Sequence, residues 1–110
     1  MSTAFATQGS PKSVSDTIEQ LARAQGNVTA LVVPWESTAS TLTMAVTSVK
    51  SDGWAIEHTN LGTITLTADG DSTRIVIVAS ELGPEHEPQN RGKLTRLFEQ
   101  FTRDVQQRLG

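Results

Sequence analysis

NRGKLTRLFEQFTRDVQQRL, residues Asn90 to Leu109, places Leu94, Leu97, Phe98, Phe101, Val105 and Leu109 three and four apart. On a helix of about five turns this spacing gathers them into one apolar stripe. Such a stripe needs a flat apolar partner. Between Val28 and Ser80 the chain is rich in Thr and Val, with the alternation of short strands. The expected fold is therefore α+β: an antiparallel meander sheet of five or six strands, with an N-terminal helix and this long C-terminal helix packed on one face.

Strands are expected at Val28–Val33, Thr41–Val49, Trp54–Thr59, Gly62–Ala68 and Thr73–Ser80. Ser51, Asp52 and Gly53 form one turn between them, and Asp69, Gly70 and Asp71 form a hairpin turn. Leu42, Met44 and Val46 share a face of their strand, as do Trp54 and Ile56 of theirs, while Ile64 and Leu66 alternate with Thr63, Thr65 and Thr67. One side of the sheet is apolar and the other hydroxylated. The first helix is expected over Ser13–Gln25, opened by Ser13 with Asp16 in its first turn and stopped by Gly26 and Asn27. Val14, Ile18, Leu21 and Ala22 form its narrow apolar face. Residues 1–10 read as an edge strand or a tail, and Glu81 to Asn90 as a loop punctuated by Pro.

The 110 residues suit a single domain that can bury a core without staples, and there is no Cys to make one. Thiol catalysis and thiolate metal sites are excluded. A net charge of −3, with few aromatics and none interleaved with Lys or Arg, disfavours nucleic acid as a partner. No apolar run is long enough for a membrane span and no leader pattern stands at the start, so a cytoplasmic protein is the default expectation.

A first strand followed by the helical segment Ser10 to Gln25, the hairpin LGTITLTADGDSTRIVIVAS at residues 61–80, and the Leu94 to Leu109 stripe together resemble the helix-grip START and Bet v 1-like superfamily. The resemblance lies in element order and spans nearly the whole chain. It implies a curved sheet wrapped around the C-terminal helix, with space between them for a hydrophobic small molecule. It supplies no catalytic residue. The chain departs from the pattern in lacking a second short helix after the first, which would shrink or open that space.

In such a site Met44, Trp54, Ile56, His58, Phe98 and Phe101 would line the ligand. His58 falls on the apolar face if its strand keeps the phase of Trp54 and Ile56, and a one-residue slip would put it in solvent. Glu85, His86 and Glu87 are adjacent in a loop, where side chains usually diverge, so no metal site is expected. Asn90, Arg91 and Lys93 open the last helix and read either as an anion pocket or as cations neutralised by Glu85 and Glu87. Glu99 with Arg103, and Asp104 with Arg108, are spaced for local ion pairs. Trp35 after Pro34 reads equally as a lid, a partner contact or a buried residue. No nucleophile elbow and no Gly-rich phosphate loop is present, and no cofactor is implied.

The leading expectation is a small non-enzymatic binding domain for a hydrophobic molecule. The alternatives are a solid-core interaction or self-association module, in which a homodimer would use a sheet edge or the Thr-rich face, and a small cyclase or isomerase using His58 as acid or base. A large apolar cavity would favour the first, and a filled core the second.

Overall fold

Val, Ile and Thr in alternation form five antiparallel strands, one before the first helix in the chain and four between the two helices. The computed structural model describes residues 2–38, 40–51 and 53–110. Strand β1 (Ser2–Gln8) precedes helix α1 (Pro11–Gln25). Strands β2 (Val28–Val32), β3 (Thr41–Ser51), β4 (Ile56–Asp69) and β5 (Ser72–Ala79) follow, and helix α2 (Pro88–Leu109) closes the chain. The sheet order is β1-β5-β4-β3-β2. The first strand thus lies beside the last, and residues 2–8 are an edge strand. Among the described residues no helix is long and apolar enough to cross a membrane.

Both helices bury their stripes against the same face. Val14, Ile18 and Ala22 of α1 join Phe98, Phe101 and Val105 of α2 over Ala30, Met44, Val46, Ile64, Leu66, Ile75 and Ile77 of the sheet. Leu21, Leu94, Leu97 and Leu109 flank this core, half-buried. The stripe read from residues 94–109 is therefore the packed side of α2. Near the C-terminal ends of the helices, Gln25 Nε2 donates to Asp104 Oδ2 at 2.8 Å. Gln100 takes the other oxygen of Asp104 at 2.9 Å. With Asp104 engaged, and Arg103 donating to Gln100 at 3.2 Å, the ion pairs expected at Glu99–Arg103 and Asp104–Arg108 do not form among the described residues.

Helix starts differ from the expected ones by two residues. Ser10, not Ser13, caps α1, its side chain accepting from the Ser13 N–H at 3.2 Å with Pro11 in the first turn. Proline's fixed φ suits the first helical position, so Pro11 begins the helix two residues before the expected Ser13. Pro88 does the same for α2, whose cap position is Glu87, without a side-chain cap. The turn expected at Ser51, Asp52 and Gly53 includes Asp52, which lies outside the described residues.

The main correction concerns β4. The two strands expected at Trp54–Thr59 and Gly62–Ala68 are one strand of 14 residues. Val46 pairs with Gly62 but Thr47 pairs with Asn60, leaving Leu61 as the extra residue of a β-bulge. Asn60 Oδ1 accepts from the Gly62 N–H at 3.2 Å. The Leu61 carbonyl accepts from the Ser80 N–H at 3.0 Å. The bulge inverts the phase of the strand. On one side of it Leu66, Ile64 and Gly62 face the helices; beyond it Thr59 and Glu57 take that side and Asn60, His58 and Ile56 turn outward.

Among the described residues one buried side-chain polar atom is left over. The hydroxyl of Thr102, on the packed side of α2, has no hydrogen-bond partner. An unsatisfied buried hydroxyl costs roughly 1–3 kcal/mol, and valine has nearly the same shape. Thr102→Val is expected to stabilise the fold by about 1 kcal/mol, read as a rise of a few degrees in thermal midpoint. A lower midpoint would mean that the hydroxyl is engaged in solution.

Candidate functional site

The site follows from an unequal strand length. Strand β5 ends at Ala79, opposite Gly62, whereas β4 runs on to Ile56 paired only with β3. The β3–β4 arm therefore extends past the rest of the sheet, and the loop after β5 passes alongside it before α2 begins. A groove of about 310 Å³ lies between arm and helix. The arm contributes Ser48, Lys50, Glu57 and Thr59, and the loop and first helical turns contribute His86, Asn90, Lys93 and Leu94. Adjoining it, with Leu94 in common, is an apolar hollow of about 70 Å³ against Leu61, Ala79, Leu82 and Phe98. On the other side of the loop an open cleft of about 410 Å³ holds His58, Glu81, Glu85 and His86.

The groove is predominantly polar. Lys50 from the sheet and Lys93 from α2 supply two cations, with Glu57 as the opposing charge. The first turn of α2, lacking a side-chain cap, adds the donor end of a 22-residue helix. Two ammonium groups, Asn90 and the hydroxyls of Ser48 and Thr59 make a set of donors suited to an anionic oxygen. Thr95 and Glu99 mark where the neighbouring hollow meets solvent.

The expected ligand residues are not brought together. Met44, Phe98 and Phe101 are buried in the core, whereas Trp54 is 98% exposed, Ile56 65% exposed, and His58 exposed on the outward face. For Ile56 and His58 the bulge at Leu61 is the reason, since it reverses the side on which the residues of β4 before it project, while Trp54 precedes the strand altogether. The isomerase alternative rested on a buried imidazole and gains no support from an exposed one. Of the anion residues, Asn90 and Lys93 reach the groove; Arg91 is half-buried and does not line it. Glu85 lies 3.6 Å from His86 instead of neutralising Arg91 or Lys93. Among the described residues no three His, Asp or Glu side chains converge to hold a metal ion. Trp35 stands 82% exposed on the short 3-10 turn Pro34–Glu36.

Sequence reasoning missed Ser48, Lys50, Glu57 and Thr59. For Glu57 and Thr59 the available signal was Asn60-Leu61-Gly62, because a Gly inside a strand pattern often marks a bulge; Ser48 and Lys50 simply continue the phase of Met44 and Val46. The fold and the groove define a small α+β domain with two helices on one face of an open antiparallel sheet. Comparison with known proteins adds no relative: no family model, no curated sequence and no solved structure matches the chain.

Proposed function

We propose that the protein is a non-enzymatic binding domain that holds a small anionic molecule with a short apolar part, in the groove where the β3–β4 arm and α2 diverge. The observation that carries this reading is the placing of Lys50 and Lys93 on opposite walls of one groove that adjoins an apolar hollow. The sheet order, with β1 beside β5, and the position of α2 on the sheet support a helix-grip relationship. They do so with little room inside. An apolar hollow of about 70 Å³ accepts a few heavy atoms, well below the roughly 300–1,000 Å³ that encloses a drug-sized ligand. The ligand's polar end therefore supplies much of the binding.

Hexanoate is a suitable probe, with hexylamine as its charge-reversed control. Millimolar hexanoate is expected to shift the backbone amide resonances of Lys50, Thr59, Asn90 and Lys93, and hexylamine to leave them unmoved. Charge-assisted hydrogen bonds are worth roughly 1.5–3 kcal/mol each, so Lys50→Ala with Lys93→Ala should weaken binding by at least about tenfold. Glu57→Gln should tighten it. Unmoved resonances with hexanoate, or equal affinity in the double variant, would overturn the reading.

Self-association is the second reading. It is supported by the large apolar side chains left on the surface, of which Leu31, Ile56 and Val78 all project from the face of the sheet opposite the helices.

A further inference from the structure

We infer that a second copy of this chain docks on the uncovered face of the sheet, the two sheets stacking face to face about a two-fold axis. The inference rests on the self-association reading and assigns its surface. The strand registers align Ser2, Val78, Thr63, Ala45 and Leu31 as one outward row crossing all five strands. The next row is Ala4, Val76, Thr65 and Thr43. Neither row carries a charge, although the chain has 9 basic and 12 acidic residues. Among the described outward positions of the strands, the only Lys, Arg, Asp or Glu side chains are Arg74 and Asp69, of opposite sign and toward one end. Depletion of charge over the centre of a patch is the compositional mark of an interface core.

Size and shape suit a copy of the same surface. Five strands at about 4.8 Å and seven residues at about 3.4 Å give a face on the order of 600 Å², to which Val49 and Ile56 of the arm add. A standard interface buries about 800 Å² per partner. Apart from Leu31 on the edge strand β2, the side chains in both rows are short, so two such faces can approach to the usual sheet separation of about 10 Å. A flat surface of repeated Thr, Val and Ala, with Leu31 and Ile56 toward its margins, can meet its own copy about a two-fold axis. Two copies bring together balanced charges, one Arg74 and one Asp69 from each.

The test is the solution mass of the full chain, with Thr63→Lys combined with Ala45→Lys as the disrupting variant. Wild type is expected at twice the chain mass at about 50 μM, and the double lysine variant at the monomer mass with unchanged circular dichroism. Its dissociation constant should rise by more than about 100-fold, since each docked pair would carry four like charges into one row. Gln20→Lys on exposed α1 should leave the dimer intact. The Cys-free chain permits a second approach that needs no disruption. Thr65→Cys should be captured as a covalent dimer by a bifunctional maleimide spanning about 10 Å. A wild-type monomer overturns self-association itself. A dimer that survives the folded lysine variant, or that gives no covalent product from Thr65→Cys, places the contact elsewhere and overturns only this surface.

Discussion

Replacing Phe101 by Ala is expected to cost about 4 kcal/mol and to lower the thermal midpoint by about 15 °C. Phe101 is fully buried and belongs to the cluster that joins both helices to the sheet. Phe→Ala changes in cores cost roughly 3–5 kcal/mol, through lost transfer energy and the cavity left behind. A domain of this length has only about 5–15 kcal/mol in total. The variant should therefore show a measurable unfolded fraction well below the wild-type transition. Trp35→Ala, although it removes a larger side chain, should shift the midpoint by no more than about 3 °C, because the indole is in solvent. Phe98→Ala should cost less than Phe101→Ala. Phe98 already borders a hollow, so neighbouring side chains can relax into the vacated volume. A Phe101→Ala midpoint within 3 °C of wild type would mean that α2 does not pack on the sheet through this stripe.

The parts of the fold that could be read from the chain are those where one periodicity governs a whole element. Leu94 to Leu109 keep the helical repeat without interruption, and Phe98, Phe101 and Val105 are the buried residues it indicated. Ile75 and Ile77, with Ile64 and Leu66 across from them, keep the period of two and meet the core. Gly26 ends α1 in a left-handed conformation at φ 75°, as the Gly-Asn pair indicated. What could not be read depends on a single inserted residue or on distant partners. Periodicity extrapolated from Trp54 and Ile56 assumes a regular ladder, and Leu61 breaks that ladder by pairing with nothing on β3. Every assignment on the far side of it then inverts, His58 included. The groove was invisible for the same reason, since Glu57 and Thr59 join Lys50 on its wall only after that inversion. Asp104 was read as a local ion-pair partner because helical spacing is local; Gln25, 79 positions away, lies at 2.8 Å.

Gly62→Val tests that inversion directly and is expected to destabilise the protein by about 3 kcal/mol. Gly62 is buried on the inward side of β4, and a Cβ added there would run into the Phe98 ring on one side and the backbone carbonyl of Val78 on the other. Its φ is not in the left-handed region, so the requirement is for close approach and not for an unusual backbone angle. Overfilling a packed site costs roughly 1–3 kcal/mol and more where backbone must move. The ring can yield by tilting α2 away, but the Val78 carbonyl is fixed in the β4–β5 ladder through the pairing of Val78 with Thr63. Phe98→Leu, by shortening the side chain, should therefore recover only part of the loss. In a double-mutant cycle the two substitutions should couple by about 1 kcal/mol, with the remainder left as the carbonyl's share. The same displacement of α2 would widen the gap between Lys93 and Lys50, so hexanoate affinity should fall in Gly62→Val even where the protein remains folded. If Gly62→Val instead melts like wild type, β4 does not lie against Phe98 at this point. The bulge would then have no reason to sit at Leu61, and the placing of Glu57 and Thr59 on the groove side of the arm would fail with it.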